Sequence, residues 1–183
     1  MEIVFATSNV NKAAEVRHIL NSKIRVEHLA LPEIQSLSVK EIAGYKARIA
    51  HRELNVPVVV EDTGLYLKGF GGFPGALAKW FVKGLGYNAI CRAVDTCNTR
   101  DAYAETCVAY YDGKRGRLFT GKASGKIAET PQGSNNFGWD RIFIPKGSKR
   151  TFAQMSIKEK SRISMRGIAV RKLGAFLKEE KFI

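Results

Sequence analysis

Three cysteines in 183 residues are too few and too irregularly spaced for a disulfide framework. Cys91 and Cys97 lie six apart without the CxxC spacing of a zinc site, so Cys91, Cys97 and Cys107 are expected as buried or half-buried thiols in a reducing cytoplasm. Only 5 prolines are present, and no Pro/Gly/Ser-rich linker, internal repeat or low-complexity tract marks a domain boundary. Residues 1–183 therefore read as a single domain. No run approaches the ~20 apolar residues of a membrane span. Met1-Glu2-Ile3-Val4-Phe5 has no basic stretch ahead of a long apolar one, so no secretory signal is expected. Acidic residues are also scarce, 17 against 30 basic, which leaves a net charge of +13.

The remaining composition, 45% hydrophobic and 26% charged, is that of a globular chain long enough to bury a core. The basic excess is uneven: residues 140–183 carry 12 Lys/Arg and 4 Asp/Glu. Such an excess favours an anionic partner (nucleic acid, nucleotide or counterions) without choosing among them.

Elements alternate in type at the start. Glu2 to Ala6 reads as a short buried strand, Asn9 to Leu20 as a helix with Ala13, Val16, Ile19 and Leu20 on one face, and Ile24 to Leu29 as a second strand. Ser38-Val39-Lys40-Glu41 is a capping box that opens a helix to about Leu54, with Val39, Ile42, Ile49 and Ala50 inward. Pro57 to Val60 is a β-branched run that reads as a central strand ended by Glu61-Asp62. A Gly-rich stretch, 69–75, precedes helices near 76–83 and 86–96. Ala102 to Tyr111 and Arg117 to Ile127 pair around an Asp112-Gly113 turn, Arg141 to Ile144 is a short strand, and the last 25 residues read as one helix. This order predicts an α/β fold with a mixed, twisted sheet and flanking helices.

Thr7-Ser8-Asn9-Val10-Asn11-Lys12 lies where the first strand gives way to the first helix. Unpaired N–H groups and the positive helix end favour an anion there, and Lys12 adds a full charge. Plain capping by Ser8 or Asn9, with Lys12 in solvent, accounts for the same residues. Glu61-Asp62 could hold Mg²⁺ or take a proton from water, or could form a solvated turn. Side chains alternate faces along a strand, so at most one of the two is expected in a given site. Glu33, taken alone, reads as a surface acid. Phe137-Gly138-Trp139-Asp140 offers aromatic faces that stack on a base or anchor a core beside a turn. Lys158, Lys160, Arg162 and Arg166 crowd the start of the final helix, as a solvated face or against an anion that offsets the helix dipole.

Two motifs fail. Gly116 to Lys122 fits the first seven positions of a P-loop, but Ala123 replaces the Ser/Thr that would hold Mg²⁺ and no helix follows. Gly69-x-Gly71 lacks the third glycine of a dinucleotide fingerprint, and His18, His28 and His51 form no metal set or triad.

Six segments occur in one order: Phe5-Ala6-Thr7-Ser8-Asn9-Val10-Asn11-Lys12, Leu31-Pro32-Glu33-Ile34-Gln35, Val60-Glu61-Asp62-Thr63-Gly64-Leu65, Gly71-Gly72-Phe73-Pro74-Gly75, Phe137-Gly138-Trp139-Asp140, and Thr151-Phe152-Ala153-Gln154-Met155 leading to Glu159-Lys160 and Ser164-Met165-Arg166. Over residues 3 to about 172 the chain thereby resembles the inosine triphosphate pyrophosphatase family, hydrolases of purine nucleoside triphosphates with non-standard bases. The resemblance implies two closely packed lobes with the active site in the cleft between them, and a cytoplasmic homodimer with no membrane and no stable nucleic-acid partner. It further implies Mg²⁺ dependence and cleavage of ITP, dITP or XTP to the monophosphate and pyrophosphate.

By the same resemblance Thr7, Ser8, Asn9, Val10, Asn11 and Lys12 would hold the triphosphate, with Lys46 near the phosphates. Glu33 and Asp62 would face Mg²⁺, with Asp62 as the catalytic proton acceptor and Thr63 beside it a substrate contact. Phe137, Gly138, Trp139 and Asp140 would enclose the base, with Phe137 stacking on it, and Lys160, Ser164, Met165 and Arg166 would complete the contacts. Met165 departs from the family's Ser-His-Arg: a thioether is a weak acceptor and soft packing surface, so base selectivity is where this chain should differ. Arg166 or a backbone N–H would bond a purine C6 keto oxygen and reject the adenine amine. A basic nucleic-acid-binding module, which leaves Glu33 and Asp62 unexplained, and a related pyrophosphatase for modified pyrimidines are the competing readings.

Overall fold

The computed structural model describes residues 3–20, 24–134 and 137–182. Glu2, the expected start of the first strand, lies outside them. Among the described residues, seven strands form one open mixed sheet. β1 (Val4–Ala6) runs parallel to β2 (Arg25–Glu27) on one side and to β3 (Val58–Leu67) on the other. The two-residue β4 (Pro74–Gly75) pairs with the end of β3. β5 (Asp101–Tyr111), β6 (Gly116–Ile127) and β7 (Phe143–Pro145) continue antiparallel to the far edge. The β5–β6 turn forms as expected: Asp112 Oδ1 accepts from the N–H groups of Lys114 and Arg115, and Gly113 supplies a φ of 94°.

Among the described residues five α-helices cover the sheet. α2 (Val39–Leu54) packs on β3 and β5, where Val58, Val60, Cys107 and Ala109 meet Ala43, Ala47 and Ala50. On the opposite face Phe5, Val59, Val108 and Tyr110 meet Val16 of α1 (Val10–Leu20) and Ala169, Val170 and Leu173 of α5 (Met165–Glu179). α3 (Ala78–Asp95) and α4 (Ile157–Ile163) complete the set. The two helices expected near 76–83 and 86–96 are both present within α3, divided at Gly86, whose φ of 74° and ψ of 162° break the helical backbone.

Three expectations change. β3 does not end at Val60; it pairs with β5 from Val58↔Tyr111 through Asp62↔Cys107 to Leu67↔Ala102, because the long partner strand carries the polar Glu61–Gly64 stretch along. The final helix is two: Ser164, extended at ψ 155°, ends α4 and caps α5, its Oγ accepting from the Gly167 N–H. Only half of the Ser38 capping box forms. Ser38 Oγ accepts from the Glu41 N–H, but the Glu41 carboxylate is drawn away to Ser36 Oγ at 2.7 Å, and Ser36 Oγ accepts from the Ser38 N–H.

Two features hold the start of α5 in place. Gly121 of β6 lies under it, and a Cβ at that position would come within 2.0 Å of the Met165 carbonyl oxygen. A buried line of charge also joins five parts of the chain. Arg166 donates to both Glu61 oxygens (2.6 and 3.1 Å) and to Glu15. Glu15 accepts from Lys160 at 2.9 Å, and Lys160 also donates to Asp140.

Gly121→Ala should cost ~1–3 kcal/mol in denaturant unfolding through overpacking against backbone. Gly84→Ala, with nothing within 4 Å, should cost nothing measurable. Arg166→Met removes the guanidinium from two buried carboxylates, leaving each a single lysine, and should cost ~3–5 kcal/mol. Removing the solvent-exposed Lys68–Asp101 pair with Lys68→Met should cost under ~1 kcal/mol.

Candidate active site

β3 is paired along one edge by β5, but the other edge is shared. β1 pairs at Val58 and Val59, β4 at Leu65 and Tyr66, and the stretch between them faces a cleft of about 290 Å³. The Glu61 carbonyl on this edge accepts from Lys12 Nζ and Lys46 Nζ, each at 3.4 Å, where a neighbouring strand would otherwise donate. The gap in strand pairing thus forms the site and draws two lysines into it.

Alternation along β3 sends Asp62 toward α2 and Glu61 with Thr63 toward α5. Both carboxylates nevertheless border the cleft, because the cleft wraps the open edge and touches both faces. On the α2 side Lys46 Nζ lies 2.8 Å from Glu33 Oε1 and 3.4 Å from Asp62 Oδ1. Lys12 is not in solvent: its ammonium is 3.2 Å from Glu61 Oε1. Asn9 caps α1, its Oδ1 accepting from the N–H groups of Asn11 and Lys12, while Thr7, Ser8 and Asn9 also line the cleft. Capping and cleft lining therefore coexist in this segment.

The opposite end of the cleft is aromatic. Phe137, Gly138, Trp139 and Asp140 line it with Met165 and Arg166. The Phe137 ring centre lies 4.8 Å from Lys160 Nζ and 5.1 Å from the Arg166 guanidinium carbon. Trp139 is also a core anchor, packed against Phe143 and Phe152. Gly138 turns the chain at φ 59°, and its carbonyl accepts from the Tyr87 hydroxyl. Arg166, the expected reader of the base, has its donors engaged by Glu61, Glu15 and Thr63 Oγ1.

Four expected residues stand off the lining. Val10 is exposed, Asn11 lies beyond it on α1, Lys160 sits behind Phe137 and Asp140, and Ser164 is buried as the cap between α4 and α5. The basic cluster divides, with Lys160 and Arg166 turned inward and Lys158 and Arg162 outward. Glu15 and Lys79 escaped the sequence reading. Glu15 carried one faint signal: it interrupts the apolar face of α1 between Ala13 and Val16 and is buried with them. Lys79, at the start of α3, lines the cleft but has no motif around it.

Electrostatics separate the acids. Burial pushes the Asp62 carboxyl up to about 6, with Lys12 and Lys46 pulling the other way. Burial also acts to raise Glu33, but Lys46, with Lys12 and Lys79, outweighs it and holds that carboxyl below its ordinary value. Burial opposes ionisation of Glu61 and Glu15 too, and is overcome chiefly by Arg166, assisted by Lys12 at Glu61 and Lys160 at Glu15. Asp62 is thus held above its ordinary value, as burial also holds Asp140 at the other end of the cleft.

The donor set suits a hard divalent cation. Glu33 and Asp62 offer only oxygen, and Asp62 Oδ2 is buried with no hydrogen-bond partner among the described residues. No group of three or more His, Cys, Asp or Glu side chains converges on a metal position among the described residues. Mg²⁺ is bound by one or two carboxylates, waters and substrate phosphates rather than by an all-protein cage.

The chain matches the Ham1 family over residues 3–176. It is 38% identical to the dITP/XTP pyrophosphatase of Thermococcus kodakarensis, covering 98% of each chain. Identity to the inosine triphosphate pyrophosphatase of Schizosaccharomyces pombe is 39%, over 98% of this chain and 96% of that one. The solved Staphylococcus aureus Ham1 protein superposes with a TM-score of 0.84 at 27% identity, over 98% of this chain and 100% of that one. Sequence, fold and cleft lead to one assignment: this chain belongs to the Ham1 family.

Proposed function

We propose that this protein hydrolyses purine nucleoside triphosphates with non-standard bases (ITP, dITP and XTP) to the monophosphate and pyrophosphate. The observation that carries the reading is the buried, unpartnered Asp62 Oδ2 beside Glu33, with Lys12 and Lys46 at hand. The activities named for the relatives support the substrate class. No helix among the described residues is long and apolar enough to cross a membrane, and we place the reaction in the cytoplasm. We read the chain as one domain of two closely packed lobes, and its assembly as a homodimer.

Lys12, Lys46 and Lys79 offset the charge of the triphosphate and of the departing pyrophosphate. Glu33 and Asp62 would hold Mg²⁺, which when bound supplies further charge neutralisation at the phosphate oxygens and acidifies water. Water attacks the α-phosphorus: the new P–O bond forms, the bond to the bridging oxygen breaks with its electron pair leaving on pyrophosphate, and Asp62 takes the water's proton. A carboxylate raised to about 6 is ionised at neutral pH yet is a stronger base than an ordinary aspartate. Phe137 stacks on the purine. Met165 replaces a histidine contact with thioether surface, so discrimination at C6 rests on backbone N–H groups and on the wall that Arg166 braces.

Incubation with Mg²⁺ and, in parallel, ITP, XTP, GTP, ATP and dUTP should yield IMP or XMP with pyrophosphate and little turnover of ATP or GTP. Diphosphate with orthophosphate would mean that a different bond is cut and would defeat the mechanism. Asp62→Asn should lower turnover by at least ~10²-fold. Because the buried charge is removed with the base, its thermal midpoint should be no lower than the parent's. Near-normal turnover in that variant would remove Asp62 from the role.

A further inference from the structure

The turn that carries Phe137 is tied down by a residue from outside the cleft. Phe137 to Asp140 close on themselves: the Asp140 N–H donates to the Phe137 carbonyl at 3.1 Å, with Gly138, at φ 59°, the first central residue. At the tip of this turn the Gly138 carbonyl accepts from the Tyr87 hydroxyl at 2.8 Å, across 51 positions of sequence. The Arg141 guanidinium carbon lies 5.5 Å from the centre of the same tyrosine ring. One side chain of α3 therefore holds the segment at two points, before and after Trp139 and Asp140. Tyr87 directly follows the break at Gly86, whose φ of 74° and ψ of 162° fall in a region open essentially to glycine alone. Beyond the break, Ile90, Cys91 and Val94 seat the second half of α3 in the core that also holds Trp139 and Phe143. Arg100 adds a further tie, its Nη2 donating to the Cys91 carbonyl of α3 and to the Ala128 carbonyl just past β6. The connection from β6 to β7 is thus fastened to the second half of α3 both at its start and at its turn.

We propose that Tyr87 is a positioning residue for purine recognition. Through its bond to Gly138 it sets where the Phe137 ring stands, and so acts on binding at the base end of the cleft alone. This rests on the hydrolase reading above and adds to it a residue that does not itself line the cleft. Stability does not account for the hydroxyl. Gly138 is exposed, so without Tyr87 its carbonyl would bond water and the fold would lose little. Position is another matter. Lys160 and Arg166 draw the Phe137 ring inward, and a ring that stacks on a base has to keep one face open beside Met165. A tether at the tip of the turn, on the side away from those cations, holds the ring against that pull. The phosphate end of the cleft, built on Lys12, Lys46, Glu33 and Asp62, shares no hydrogen bond with Tyr87.

Tyr87→Phe keeps the ring and removes only the hydroxyl. It should raise KM for ITP about 3- to 10-fold, the size of one hydrogen bond, with kcat within about twofold of the parent's. Inhibition by IMP should weaken by the same factor. Inhibition by pyrophosphate, which occupies the phosphate end, should not change. In a Phe137→Leu background the added Tyr87→Phe should have no further effect, because the hydroxyl acts through that ring. An unchanged KM would overturn the positioning role, and so would a weakening of pyrophosphate inhibition alongside that of IMP. An effect of Tyr87→Phe that persists undiminished without the Phe137 ring would overturn it as well. Titration of tryptophan fluorescence with IMP separates this role from the reaction. A parent that hydrolyses no triphosphate, yet binds IMP more tightly than Tyr87→Phe does, would defeat the hydrolase reading and keep the positioning role. A parent that binds no IMP would overturn both.

Discussion

The buried line Asp140–Lys160–Glu15–Arg166–Glu61 is the constraint on which the rest of the molecule turns. Its members come from a loop, α4, α1, α5 and β3, so no local segment can form it. An unpaired charge in this interior is far more costly than a paired one, which means the line assembles whole or the parts do not dock. Once assembled, it fixes the start of α5 against the middle of β3. It also sets the cations under Phe137, and it holds Glu61 ionised, so that Lys12 is drawn to the same strand.

β3 distributes the consequences. Its alternation gives one carboxylate to each face of the sheet, and the two faces treat them differently. Glu61 meets a guanidinium and becomes a fixed part of the framework. Asp62 meets one lysine that it shares with Glu33, keeps an oxygen without a partner among the described residues, and is held at about 6, above the ordinary aspartate range. Two adjacent acids of similar chemistry are separated into a structural and a reactive one by the strand's period of two. The open edge between β1 and β4 then allows both to border the same cleft.

What the sequence made legible was what is local. The Val58–Val60 run, the alternation of Ala102 to Tyr111, the Asp112-Gly113 turn and the cap at Ser38 all depend on neighbours a few positions away, and all are present. Thr7, Ser8, Asn9 and Lys12 of the first motif likewise meet the motifs at 61–63 and 137–140 in space. The full length of β3 was not legible, because Glu61-Asp62-Thr63-Gly64 looks like a polar turn until β5 pairs with it. Nor was the break at Ser164, which has no proline or glycine to announce it; the chain turns there so that Met165 can pass over Gly121. Glu15 was hidden for the same reason. Its partner Arg166 is 151 residues away, and a lone glutamate on a helix carries no trace of a cation that distant.

The β3–β5 register sets Cys107 directly across from Asp62, sealed beneath α2. Burial pushes its thiol up to about 12, and burial raises the Cys91 thiol as well. Oxidants and alkylating agents attack the thiolate rather than the thiol. The Cys107 sulfur across the strand pair from the reactive carboxylate is therefore held as the buried, less reactive thiol. Among the three thiols Cys97, half-buried and outside the cleft lining, is the most accessible to such agents.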